Sequence, residues 1–158
     1  MCLKKYTPLK LHNLKQFFVP TTELVQDMNI LSNYVAAIMQ ANPTTFRFFT
    51  PDEAKSNRLY APFKITNRVW QAARYPFDDG LSNEGRIIDG ILSEHVCEGM
   101  LEAYTLTGRH GFFATYEAFG RVIDSMLSQH SKWLKQVRKM PWRTTLPCLN
   151  FIVTSHTW

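Results

Sequence analysis

The chain has 158 residues, of which 45% are hydrophobic and 20% charged, a composition typical of one globular domain with its own core. No apolar run approaches the roughly 20 residues of a transmembrane helix, and the N-terminus lacks the apolar core of a signal peptide. The three cysteines, Cys2, Cys97 and Cys148, form neither a CxxC pair nor an even disulfide framework. We therefore expect a cytoplasmic protein without a membrane segment.

The net charge of +5 is unevenly distributed along the chain. Half of the 18 lysines and arginines lie in residues 1–15 and 132–158, and all 13 acidic residues lie between these two segments. A basic C-terminal third suits nucleic acid or a phosphorylated ligand. A solvated helix face is the alternative interpretation of the same charges. The basic residues concerned are Lys132, Lys135, Arg138, Lys139 and Arg143.

The N-terminal half predicts an arm, a helix and a strand. Residues 1–20 have no sustained period and contain two prolines, which indicates an extended arm. From Thr22, apolar residues recur at helical spacing until Asn42-Pro43 ends the helix. Thr45–Phe49 is short and aromatic, as in a strand. Thr50, followed by proline and by Glu53, predicts the start of another helix, with Thr50 as its N-cap.

The C-terminal half continues the alternation. After a turn at 78–80, strands are predicted at Gly85–Asp89, His110–Ala114 and Leu149–Val153. A helix from about Glu94 to Thr107 is expected to end at Gly108. A longer helix from about Tyr116 is expected to stop at Pro141.

Strands that alternate with crossovers of ten or more residues predict an α/β fold, a parallel sheet with helices on both faces. Ligands of such sheets bind outside the carboxyl ends of the strands. Ser56, Glu94, Tyr116 and the Ser155-His156 pair all follow predicted strands, so we expect them at one edge of the sheet.

Each candidate site residue also has a purely structural interpretation. Glu94 in a first helical turn is favoured by the helix dipole alone. Tyr116 and Phe119, at i and i+3 of a predicted helix, could simply pack in the core. Ser56 and Arg58 supply a hydroxyl and a bidentate cation suited to phosphate. The five histidines have no metal-ligand spacing and no glycine-rich phosphate loop occurs, so we assign no metal site.

Several long segments nevertheless occur together in one order: Thr50–Leu59, Leu92–Gly99, Gly108–Gly111, Ile123–Leu134, Pro141–Arg143 and Thr154–Trp158. With them, the chain from about Asp27 to Trp158 resembles the phosphoketolases. These aldehyde-lyases of carbohydrate metabolism use thiamine diphosphate and Mg²⁺ to cleave xylulose 5-phosphate or fructose 6-phosphate with phosphate, giving acetyl phosphate. The resemblance implies the middle, pyrimidine-binding domain of such an enzyme over residues 21–158, incomplete at its C-terminus, after the 1–20 arm.

The resemblance also implies roles for particular residues. Glu94 matches the catalytic glutamate that bonds the ring nitrogen of the cofactor's aminopyrimidine. Tyr116 and Phe119 match the aromatic residues beside that ring, and Ser56 and Arg58 match residues that hold the substrate phosphate.

The chain departs from the family pattern in one important respect. The Gly-Asp-Gly sequence with which thiamine diphosphate enzymes hold Mg²⁺ and the diphosphate is absent. The leading hypothesis is therefore a fragment or truncated homologue of a phosphoketolase that is inactive alone and prone to self-association or to binding a protein partner. The alternatives are a non-catalytic module that docks to a full-length relative and, from another class, a basic nucleic-acid-binding domain.

Overall fold

The computed structural model describes residues 6–20 and 22–155, which contain five strands and three α-helices. The predictions for residues 1–5, Thr21 and the 156–158 tail lie outside the described residues. The strands are β1 (Phe46–Thr50), β2 (Arg68–Trp70), β3 (Ile87–Asp89), β4 (His110–Tyr116) and β5 (Phe151–Thr154). The helices are α1 (Asp27–Ala41), α2 (Glu94–Thr105) and α3 (Gly120–Val137).

All five strands pair in parallel in the order β2-β3-β1-β4-β5, which confirms the predicted parallel sheet. The central strand β1 sets the register. Phe48 is opposite Ile87 of β3 on one side and Phe112 of β4 on the other. The carboxyl ends of β1, β3, β4 and β5 therefore lie along the same edge, which positions the residues that follow them.

The helices cover both faces of the sheet, also as predicted. Successive strand residues point to opposite faces. Phe48 accordingly packs in a cluster with Val35 and Met39 of α1. Its neighbour Phe49 packs in a second cluster that contains residues of α2 and α3. Two hydrophobic layers, one on each face, hold the sheet together.

One glycine is required where α2 crosses the sheet. Gly111 of β4 lies under the side chain of Leu101, and a Cβ atom at this position would overlap that side chain. Glycine thus lets the helix approach the strand closely.

Helices α1 and α3 begin later than predicted, and one strand was not predicted. Helix α1 begins at Asp27 and not at Thr22. Helix α3 begins at Gly120, because β4 continues to Tyr116, which pairs with Thr154 of β5. Strand β2, Arg68–Trp70, was not predicted, because three residues are too few to display a period.

The helix predicted at Pro51 does not form. The Glu53 amide does donate to Thr50 Oγ1 (3.2 Å), as the predicted cap requires. Asp52 between them, however, has a φ of +62°, which is incompatible with a right-handed helix. Only one helical turn follows, closed by the Asn57 amide donating to the Glu53 carbonyl oxygen (2.9 Å).

The described part of the arm, residues 6–20, contains only a short 3-10 helix, Leu14–Phe17. It is fixed to α1 by Asn42, whose side chain exchanges two hydrogen bonds of 2.9 Å with the backbone of Lys10. Within the described ranges, no helix is long and apolar enough to cross a membrane.

Two titratable side chains, Glu98 and His130, are buried between α2 and α3, and the half-buried Glu102 lies beside His130. Glu98 is fully buried, and neither of its carboxylate oxygens has a hydrogen-bond partner among the described residues. Burial, and to a lesser degree Glu102, raises the pKa of Glu98 to about 7. Burial lowers the pKa of His130, whose Nδ1 lies 3.5 Å from Glu102 Oε1. Glu98 therefore holds its proton in the folded protein at mildly acidic pH.

This predicts that stability falls as the pH rises. Between the ordinary glutamate pKa of 4.5 and the folded value of about 7, the folded state binds a proton that the unfolded state has lost, so each step up in pH favours unfolding. Glu98→Met removes the buried carboxyl. We expect its effect on the free energy of unfolding to be about 3 kcal/mol more stabilising at pH 8 than at pH 4. Urea unfolding at several pH values measures the difference.

The control is Glu84→Gln, which changes an exposed acid and should leave the pH profile as it is. Some pH dependence should remain in Glu98→Met, because the pKa of Glu53 is also raised to about 7. An unchanged profile in Glu98→Met would show that Glu98 is ionised and solvated.

Candidate functional site

A cleft of about 560 Å³ lies at the carboxyl ends of β1, β4 and β5. Ser56 and Arg58 of the turn after β1 and Tyr116 at the end of β4 line it. Ser155, directly after β5, and the first residues of α1 complete the walls. Three of the five predicted site residues thus share one cavity, at the edge where the topology of a parallel sheet places ligands.

The backbone presents Arg58 in an unusual way. The turn after β1 ends with the Leu59 amide donating to the Ala54 carbonyl and the Arg58 amide donating to that of Lys55, both at 2.9 Å. This pair of bonds is a Schellman motif, whose left-handed position is usually a glycine. Here Arg58 occupies it, with a φ of +61°. A non-glycine residue in this conformation carries strain, which is a reason to examine its side chain for function.

The side chain of Arg58 is available to a ligand. It is exposed, and no carboxylate of the described residues lies within 4.0 Å of its guanidinium. The Ser56 hydroxyl beside it donates to the Glu53 carbonyl oxygen (3.0 Å), so it keeps its lone pairs and can be turned towards a ligand.

Asn57 fixes this turn to the rest of the cleft. Its side-chain amide nitrogen donates to the Glu53 carbonyl oxygen (2.9 Å), and its amide oxygen accepts a short hydrogen bond from Thr154 of β5. The Thr154 hydroxyl also lies 3.1 Å from the Thr115 carbonyl oxygen of β4. Asn57 is therefore a structural bridge between three strand ends, and its amide is not free to bind a ligand.

The acid Asp89 at the end of β3 holds the first part of the turn. It is 1% exposed, and its Oδ2 accepts from Arg68 Nη1 of β2 at 2.8 Å. Its Oδ1 accepts from the backbone amide of Asp52 at 3.0 Å. Burial raises the pKa of Asp89, and the bond to Arg68 opposes that rise. This carboxylate stabilises the left-handed conformation of Asp52.

Glu94 is not among the residues that line the cleft. It is the first residue of α2, follows the N-cap Ser93 and is 8% exposed. Glu53, which is 5% exposed, lies near enough for the charge of Glu94 to raise its pKa. Burial is the larger cause, and the pKa of Glu53 reaches about 7. Glu53 can therefore hold a proton near neutral pH.

The two aromatic residues come together, but not as predicted. Tyr116 ends β4, and Phe119 ends a 3-10 turn, Glu117–Phe119, so they do not share a helix face. Their ring centroids are nonetheless 6.4 Å apart with an interplanar angle of 40°. Tyr116 is half-buried and lines the cleft, whereas Phe119 is 37% exposed outside it. A flat ring could contact this pair from the solvent side.

The sequence missed three residues that shape the site: Glu53, Arg68 and Asp89. The sequence indicates only a helix-capping role for Glu53, and Arg68 belongs to the unpredicted strand β2. For Asp89 it predicts a strand position but no part in the site. Its position at the carboxyl end of a strand was a usable signal, because buried acids at that edge commonly organise a site.

Comparison with known proteins gives the chain a family. The model of the D-xylulose 5-phosphate/D-fructose 6-phosphate phosphoketolase family matches residues 29–158. The chain belongs to the phosphoketolase family. It is 53% identical over 142 residues to the probable phosphoketolase of Clostridium acetobutylicum, covering 88% of this chain and 18% of that protein. With the probable phosphoketolase of Lactococcus lactis it shares 56% identity over 138 residues, which cover 87% and 17% of the two chains.

A third probable phosphoketolase, from Pediococcus pentosaceus, is 49% identical over 154 residues, or 94% of this chain and 20% of that protein. The chain thus spans about a fifth of the length of these curated relatives.

The buried Arg68–Asp89 pair gives a prediction about the turn. Arg68→Met should destabilise the protein by about 3–5 kcal/mol, because it leaves Asp89 buried without its cation. Replacing Asp89 by Asn in the Arg68→Met background should recover part of the loss, because a neutral amide tolerates burial better. Equilibrium unfolding in urea measures both effects, and Lys64→Met at an exposed position is the control. A loss no larger than that of the control would contradict this account.

Proposed function

We propose that the chain forms the part of a phosphoketolase active site that contacts the aminopyrimidine ring of thiamine diphosphate and the phosphate of the sugar substrate. The observation that carries the proposal is the convergence of Ser56, Arg58 and Tyr116 on one cleft at the carboxyl edge of the sheet. These residues have the chemistry that the family resemblance requires of them: a hydroxyl, a guanidinium without a carboxylate partner among the described residues, and an aromatic face.

The donor set fits one half of the cofactor. The acid Glu94, with Glu53 as a neighbour whose pKa is raised to about 7, suits a ring nitrogen that exchanges a proton near neutral pH. For the diphosphate half the fit is poor. Among residues 6–20 and 22–155, no three histidine, cysteine or acidic side chains are grouped as metal ligands, and the sequence has no Gly-Asp-Gly.

Thiamine diphosphate, when bound, supplies the nucleophilic carbon with which carbon–carbon bonds next to a carbonyl are cleaved. The residues of this chain have simpler tasks. Glu94 would hydrogen-bond the ring nitrogen and share a proton with it, and Tyr116 with Phe119 would shield one face of the ring from water. Arg58 and Ser56 bind the phosphate and so orient the sugar, which is the positioning part of catalysis.

The proposed function predicts, first, that the 158-residue chain alone produces no acetyl phosphate from xylulose 5-phosphate and phosphate. Without a site for the metal and the diphosphate, the cofactor's reactive atom is not held near the substrate. A hydroxamate assay for acetyl phosphate, with added cofactor and Mg²⁺, measures this. Formation above a no-protein control would show that the chain is a complete enzyme.

The second prediction concerns the ring. The chain should bind 4-amino-5-hydroxymethyl-2-methylpyrimidine, the aminopyrimidine part of the cofactor, and Glu94→Gln should weaken binding by at least about tenfold, because a hydrogen bond to a charged group is worth about 1.5–3 kcal/mol. Ligand-observed NMR gives the dissociation constants. Glu117→Gln, an exposed acid beside Tyr116, is the matched control and should bind normally. Equal binding by the Glu94 and Glu117 variants would refute the role of Glu94.

The third prediction concerns the phosphate. Arg58→Lys keeps the charge but loses the two parallel hydrogen bonds of a guanidinium, so it should bind xylulose 5-phosphate more weakly while its aminopyrimidine affinity stays unchanged. Lys55→Gln removes a neighbouring exposed charge outside the cleft and should affect neither ligand. Calorimetry with each ligand separates the two effects. If Lys55→Gln weakens sugar-phosphate binding as much as Arg58→Lys does, the attraction is a general charge effect and Arg58 has no specific role.

A further inference from the structure

A second cavity lies away from the cleft, between the last turns of α3 and the segment that leads into β5. Its volume is about 320 Å³, and its walls include Leu134, Arg138, Arg143, Thr144, Thr145 and Cys148. This segment precedes β5, so the cavity lies towards the amino-terminal edge of the sheet, whereas the cleft lies at the carboxyl edge. No residue is shared between the two cavities.

The cavity has two cations and no anion. Neither Arg138 nor Arg143 has a carboxylate within 4.0 Å among the described residues. The local sequence offers none either, because no acidic residue follows Asp124. Arg143 is also held in place. Its Nη1 donates to the Leu106 carbonyl oxygen (3.4 Å), and its guanidinium lies 5.0 Å from the centroid of the Trp142 ring.

The same wall carries further hydrogen-bond donors. Residues 143–150 have no regular secondary structure. Within the described ranges, the backbone amides and hydroxyls of Thr144 and Thr145 make no hydrogen bond to the protein. Arginines, hydroxyls and free backbone amides together form the donor set that proteins use for oxyanions, phosphoryl groups above all.

We propose that this cavity, with Arg138 and Arg143 as its cations and Thr144 and Thr145 as additional donors, binds a small phosphorylated metabolite. The volume matches about ten water molecules in the liquid, which is enough for a phosphoryl group and a small organic part. The site is independent of the proposed active-site cleft and of Arg58.

Cys148 offers a direct measurement, because it is exposed and lines this cavity. Cys97 will not compete for a thiol reagent, because it is buried and burial raises the pKa of its thiol to about 12. In a Cys2→Ser protein, the rate of alkylation by iodoacetamide therefore reports on Cys148. Pyrophosphate serves as the probe ligand, with sodium chloride at the same ionic strength as the reference.

We expect pyrophosphate at ten times its dissociation constant to slow alkylation about tenfold, because an occupied site shields the thiol in proportion to its occupancy. Arg138→Gln and Arg143→Gln should each abolish most of this protection. Lys135→Gln/Lys139→Gln removes two exposed charges from the same end of α3 outside the cavity wall, and should keep the protection. Arg58→Gln should keep it too, since a loss there would assign the binding to the cleft.

Arg138 is exposed, so Arg138→Gln is expected to fold. Arg143→Gln loses the contacts of Arg143 with Leu106 and Trp142. Circular dichroism checks that both variants are folded. Protection that the lysine double variant loses as fully as the arginine variants would overturn the proposal, because it would indicate diffuse attraction to a basic surface. The absence of any protection in the parent protein would overturn it directly. So would preferential binding of an oligonucleotide that displaces pyrophosphate, since the surface would then be a nucleic-acid site.

Discussion

The buried carboxylate of Asp89 is the interaction on which the geometry of the cleft depends. It joins three chain segments at the carboxyl edge of the sheet: β3, on which it lies, β2 through Arg68, and the turn after β1 through the Asp52 amide. Because Asp52 is held in a left-handed conformation, the chain cannot continue as a helix after β1. It instead forms the single turn that carries Ser56 and Arg58 into the cleft.

This arrangement places several acids in a poorly solvated region. Burial raises the pKa of Glu53, Asp89 and Glu98, so each is costly to keep charged in the fold. A protein selected only for stability would replace such groups by apolar residues of similar size. Asp89 has a structural reason to remain, because it is fully paired. Glu53 has one oxygen without a hydrogen-bond partner among the described residues, and its raised pKa lets it hold a proton near neutral pH.

The fold was largely predictable because its central strands are short continuous apolar runs between helical segments. Phe48 and Phe49, like Ile87 and Ile88, are apolar on both faces, and this pattern belongs to a strand that is covered on each side by helices. The edge strand β2 was not predictable, because its pairing comes from long-range contacts with β3 and not from its three residues. The burial of Glu98 and His130 between α2 and α3 was missed for a related reason: polar residues interrupt an apolar stripe without indicating whether they face solvent.

The site was predictable only in its location. The rule that ligands bind beyond the carboxyl ends of parallel strands brought Ser56 and Tyr116 together from sequence alone. The way they are held was not visible, because a left-handed arginine in a Schellman motif and an asparagine bridge to Thr154 are determined by tertiary contacts. Phe119 shows the same limit, since its distance from Tyr116 is set by a 3-10 turn and not by helical spacing.

Hydrogen bonds within this chain also hold the walls of the candidate site together. Asn57, Thr154 and Thr115 join the turn after β1 to β5 and β4 by hydrogen bonds that lie wholly within the described residues. The turn that carries Ser56 and Arg58 is therefore held against β4 and β5 by contacts within this fold. Preorganised groups lose less conformational entropy on binding, so even a partial site should retain measurable affinity for the fragment of ligand that it contacts. Because no histidine, cysteine or acidic side chains are grouped as metal ligands among the same described residues, the proposed function assigns to this chain only the contacts with the ring and the sugar phosphate.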